Sequence, residues 1–78
     1  MDPAQRPLIV VHRPAASGGR RVSAHREGRA EILGLAHSDQ DLIALLAAAG
    51  LSSPAELLDD PGRVEWRGGR PHEWGSAP

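Results

Sequence analysis

The sequence predicts an α+β fold, a small and mostly antiparallel sheet packed on a helical hairpin, in the order β-β-β-α-α-β-(β). Three observations lead there. The stretch from Ala36 to Asp60 holds two helix starts, one helix stop and the densest apolar cluster of the chain. Three short segments with strand character precede it. After it, two short segments flank a Gly-Gly pair that suits a tight turn.

Length limits what such a fold can do. A chain of 78 residues buries about 60–65% of its unfolded surface. It is expected to form one domain over residues 1–78, with loose tails at about 1–7 and 75–78. There is no Cys, Phe or Tyr, and Trp66 and Trp74 are the only aromatics of the six-membered class. Neither a disulfide nor a thiolate cage can help, so the core must be Leu, Ile, Val and Ala with a Trp. A homodimer sharing apolar surface is one way to compensate. The apolar runs, Leu42 to Ala49 and Leu8 to Val11, fall far short of the ~20 residues of a membrane span. The N-terminus carries too few apolar residues for a signal peptide. A cytoplasmic protein with no membrane contact is the expectation.

Leu8 to His12 is rich in β-branched residues and reads as the first strand, ending before Pro14. Pro14 to Gly19 is a turn or loop. Arg20 to Arg26 and Arg29 to His37 form a hairpin about Glu27-Gly28. That register sets Val22 opposite Leu33 and Ala24 opposite Glu31. It places Val22, Ala24, Leu33 and Leu35 on one face. Arg21, Ser23, His25, Ala30, Ile32 and Gly34 share the other. Arg26 then faces Arg29, a like-charge pair that suits solvent or an anion.

Ser38 is the N-cap of the main helix, with Asp39 and Asp41 at the positive end of its dipole. Leu42, Leu45, Leu46 and Ala49 make one apolar face, and Gly50 stops the helix. Ser53-Pro54-Ala55-Glu56 reads as a full capping box with Pro at the first helical position. Asp59 to Gly62 is a turn. Arg63 to Arg67 is a strand, and Arg70 to Trp74 returns as an irregular edge partner, since Pro71 has no amide to donate. In that register Glu65 faces His72 and Trp66 faces Pro71.

Charge is uneven. Residues 1–37 carry six Arg against three carboxylates, residues 38–62 carry five carboxylates and no Arg, and residues 63–78 carry three Arg against two carboxylates. The sheet is therefore basic and the helices acidic. Every basic residue is Arg, a bias that already explains much of the Arg excess.

No constellation points to an enzyme, a metal or a cofactor. His12, His25, His37 and His72 sit on different elements with no His-x-x-x-His pair. His37-Ser38-Asp39 has the residue types of a hydrolase triad, but neighbouring side chains diverge and Ser38 is already explained as a cap. The helix pair resembles the outline of a DNA-reading helix-turn-helix. Its second helix has carboxylates and no base-reading Arg, Lys, Asn or Gln.

Two readings remain. The first is a non-enzymatic adaptor or regulator acting through protein–protein contacts with an unknown partner or with itself as a homodimer. It uses Trp66, Arg67, Arg70 and Trp74, because Trp and Arg are typical anchors at interfaces. The second is a nucleic-acid-binding accessory protein using Arg13, Arg20, Arg21, Arg26 and Arg29 along a sheet face. That reading lacks the aromatic platforms on which single strands stack.

Overall fold

The computed structural model describes residues 8–26 and 28–75. The expected tail at 1–7, residues 76–78 of the expected tail at 75–78, and Glu27, expected in the hairpin turn, lie outside the described residues. The element order is β1 (Leu8–Pro14), β2 (Arg20–Arg26), β3 (Arg29–Ala36), α1 (Asp39–Ala48), α2 (Pro54–Leu57) and β4 (Val64–Trp66). These form an α+β fold around a four-stranded sheet in the order β3-β2-β1-β4. β1–β2 and β2–β3 are antiparallel. β4 lies parallel to β1, with Ile9 beside Val64 and Val11 beside Trp66. The amides of Ile9 and Arg67 donate to the carbonyls of Arg63 and Val11, both at 2.8 Å.

One face of the sheet makes the core. Ile9, Val11, Val22, Ala24, Ala36 and Val64 pack against Leu42 and Leu46 of α1, with Leu58 and Trp74. These positions alternate along β1 and β2, as a half-buried sheet requires. α1 covers them because its leucines recur at helical spacing. Ser38 caps α1 as its sequence implies, its Oγ accepting from the Asp41 amide at 3.1 Å. The Asp41 carboxylate reaches back to the His37 amide at 2.9 Å. Gly50, at φ +90°, follows the last turn. Among the described residues no helix is long and apolar enough to cross a membrane.

Four local expectations need correction. The β2–β3 register slips at a bulge, so Val22 lies opposite Gly34 and not Leu33. Gly34 takes φ +153°, and a Cβ there would stand 2.8 Å from the Leu45 side chain, so the bulge and the close approach of α1 both favour glycine. The slip sends Leu35 to the face away from the core, where it is 48% exposed. Ser53 is no cap: its backbone is left-handed (φ 50°) where a cap is extended, and its hydroxyl bonds no amide. α2 is accordingly a single turn, and the helical hairpin shrinks to one helix and a turn. Finally, Arg70 to Trp74 forms no strand. β4 takes β1 as its neighbour, and His72 at φ 67° turns the chain back over the core.

Candidate functional site

Of the residues expected at an interface, Trp74 is buried, Trp66 is half-buried, and the side chains of Arg67 and Arg70 are exposed. Trp74 is buried, its indole Nε1 donating to Asp39 Oδ1 at 2.7 Å. Trp66 is half-buried and meets Trp74 edge to face, ring centroids 5.3 Å apart. Such pairs add about 0.5–1.5 kcal/mol beyond their burial. His72 lies 5.4 Å from Trp66. Its Nδ1 and Nε2 each stand 2.7 Å from a carboxylate, Asp39 and Asp59. Those two hydrogen bonds, Asp59 first and then Asp39, hold the imidazole pKa above its usual value. The carboxylates meet opposite sides of the ring, so the three cannot converge on one ion. Among the described residues no group of three or more His, Asp or Glu is arranged for a metal.

Arg20 explains why this segment sits where it does. It was expected on a basic sheet face, yet it is fully buried. Its Nε donates to the His12 carbonyl at 2.7 Å. Its Nη1 donates to the carbonyls of Arg70 and Glu73 at 2.9 and 2.7 Å, and its Nη2 to that of Arg67 at 2.9 Å. The guanidinium also lies 5.3 Å from the Trp66 ring centroid. Burial lowers its pKa from the ordinary arginine value, but a guanidinium stays charged in proteins. Arg20 is thus a clasp that fastens residues 67–73 to the sheet. Arg67 and Arg70 lend their carbonyls to it. Their side chains are exposed, and Arg67 pairs with Glu65 at 2.6 Å. That pairing lowers the Glu65 pKa and raises that of Arg67.

The remaining arginines do not make one stripe. Arg26 and Arg29 stand opposite one another at the hairpin end, where they line a groove of about 520 Å³ with Glu31. Arg26 Nη2 also donates to the Ala49 carbonyl at 3.2 Å. Arg13 and Arg21 line a different surface, the sheet face turned away from α1.

That outer face is the candidate site. Its centre is buried, Val10 being 0% and Ser23 4% exposed, and Arg21, Ile32 and Leu35 stand exposed around it. The register places Arg21 beside Leu35, Ser23 beside Ile32 and His25 beside Ala30. A polar row on β2 therefore runs beside an apolar row on β3. Ile32 is 66% exposed. The groove between these rows and the β1–β2 loop measures about 790 Å³. His12 Nε2 lies 2.8 Å from Ser23 Oγ. Burial lowers the His12 pKa, with smaller contributions from the charges of Arg67, His25 and Arg21. A serine beside a neutral imidazole has the makings of a nucleophile and base. Among the described residues, however, no hydrogen bond reaches His12 Nδ1 to orient it. His25 Nε2 is buried with no partner among them.

Sequence reasoning assigned Ile32 to this face but gave it no role, and it placed Leu35 on the other side. The bulge that exposes Leu35 has only Gly34 as its sequence signal. Compared with known protein families, curated proteins and solved structures, the chain has no match.

Proposed function

We propose that this is a non-enzymatic adaptor or regulator that binds another protein through the outer face of its sheet. The observation that carries the reading is the pairing of exposed Ile32 and Leu35 with the basic row led by Arg21. A contiguous apolar patch rimmed by charge is the usual chemistry of a protein-binding surface. β3 is also an edge strand. Its second half, Ile32-Leu33-Gly34-Leu35-Ala36, carries no charge or Pro of the kind that guards edges against other chains.

The nucleic-acid reading has less support. Arg20 is withdrawn into the protein, and both Trp residues lie on the core side, across the sheet from Arg21. Base stacking would have no platform on the basic face.

The test is a photo-crosslinking residue placed at position 32 in the native cell, with position 44, exposed on α1, as control. A discrete protein adduct at 32 and none at 44 is the expected result. Absence of any protein adduct at 32 overturns the reading. An Ile32→Asp, Leu35→Asp double variant should lose the partner while its stability changes by only about 0.5 kcal/mol, as for surface sites.

A further inference from the structure

Three features of the outer face bear on what it binds, and they rest on the protein-binding reading above. The first is charge. Arg13 and Arg21 are exposed there, and among the described residues neither has a carboxylate within ion-pair distance. Glu65, which lies beside Val10 on β1, is already paired with Arg67. Asp39, Asp41 and Asp59 are engaged elsewhere: Asp39 and Asp59 hold His72, and Asp41 accepts from the His37 amide at the start of α1. Among the described residues, therefore, the cations of the outer face have no carboxylate partner.

The second feature is shape. The groove lies between the β1–β2 loop at Ala15 and Ala16 and the exposed side chain of Ile32, with Arg21 and His25 also in its lining. It borders β3, an edge strand. An extended segment can lie along such an edge. The third feature is the order of the rows. Apolar Ile32 and Leu35 stand on one side and Arg21 and Arg13 on the other. A strand-like segment presents alternate side chains in opposite directions. A segment that alternates acidic and aliphatic residues matches both sides at once.

We infer that the outer groove takes an extended segment of a partner protein that alternates carboxylate and aliphatic side chains, the carboxylates meeting Arg21 and Arg13 and the aliphatic groups meeting Ile32 and Leu35. Bidentate contact with a carboxylate suits a guanidinium. The apolar row supplies the desolvated anchor that rim charges alone lack.

The experiment is a fluorescence-anisotropy titration of the purified protein with labelled dodecapeptides. One alternates Glu and Leu, one alternates Lys and Leu, and one alternates Glu and Ser. A labelled twelve-nucleotide oligothymidine is the fourth probe. The Glu/Leu peptide should bind at least tenfold tighter than either other peptide. Its affinity should fall at least tenfold in Arg21→Glu and in Ile32→Asp, and fall with added salt because the charges are exposed. Equal binding of the Lys/Leu peptide overturns the charge assignment. Equal binding of the Glu/Ser peptide overturns the role of Ile32 and Leu35. Binding of oligothymidine alone, lost in Arg21→Glu, replaces the inference with nucleic acid. No binding by any probe also overturns it. If crosslinking at position 32 succeeds while the Glu/Leu peptide fails, the protein-binding face stands and only the partner chemistry falls.

Discussion

Arg20 spends four of its five N–H donors on carbonyls from two distant parts of the chain, residue 12 and residues 67–73. Each bond comes from a charged donor, and losing them leaves buried acceptors unmatched. Arg20→Lys keeps the charge but not the planar fork, so it should not rescue. Urea unfolding of Arg20→Lys should show a loss of about 3 kcal/mol. Trypsin should then cut after Arg67, which the native protein should resist. A change below about 0.5 kcal/mol, the range of ordinary surface sites, sinks the clasp. The position was legible in part. Arg20 shares the parity of Val22 and Ala24, so alternation along β2 already pointed it inward. Arginine is rarely buried unless paired, which masks that signal, and no local pattern names acceptors 47 to 53 residues away. His72 supplies a second test at this scale. Its pKa is raised in the folded protein by Asp59 and Asp39. Its contribution is therefore complete below the unfolded value of 6.5 and disappears as pH rises through the folded value. His12 has the opposite sign, because its pKa is lowered. The two are separated by comparing thermal unfolding of the native chain and His72→Gln at each pH. The gap in midpoint should be wide at pH 5.5 and narrow at pH 8.5. A gap that does not change with pH removes the ion-pair account of His72.

At the level of elements, α1 was the easiest to anticipate, because every signal for it is local. Ser38 sits three residues before the amide it caps, and Gly50 follows directly after the last turn. Ser38→Ala should therefore cost about 1 kcal/mol, the usual value of a serine cap. Chemical denaturation measures it, and a change under about 0.2 kcal/mol would mean the Asp41 bond to the His37 amide suffices alone. Ser53 offers the contrast. It has the same sequence signature, but no hydroxyl–amide bond forms because its backbone is left-handed. Ser53→Ala should be close to neutral by the same measurement. β1, β2 and β3 were readable from alternation and the Glu27-Gly28 turn. The neighbour of β4 was not. An antiparallel partner would announce itself by a short turn such as Gly68-Gly69, and this pair of glycines invited that reading. A parallel partner is reached through α1 and α2, and the sequence holds no marker of which strand receives it. The same gap hid the candidate site, since exposure of Leu35 depends on a one-residue bulge that reverses its side.

Among the described residues, the sheet has one face enclosed by α1 and Trp74 and one face on which Arg21, Ile32 and Leu35 stand open to solvent. The enclosed side gathers the carboxylates of α1 and the turn after α2, and the open side keeps Arg13 and Arg21. Charge separation that was evident along the sequence thus becomes separation across the sheet. The parallel pairing of β4 with β1 has a further consequence, in time. β1, β2 and β3 meet through short connections and can assemble early, whereas β4 and the carbonyls held by Arg20 must arrive from beyond residue 63. Distant contacts carry the larger closure entropy and form late. Stopped-flow experiments in urea should then divide the substitutions into two groups. Val22→Ala, in the local three-stranded unit, should chiefly slow folding. Arg20→Lys should leave the folding arm nearly unchanged and speed unfolding. A slowed folding arm for Arg20→Lys would contradict this order. On this order, the last segment to dock sets how long the native state lasts: the lifetime of the protein is governed by how often residues 67–75 come loose from Arg20 and from the carboxylates of Asp39 and Asp59.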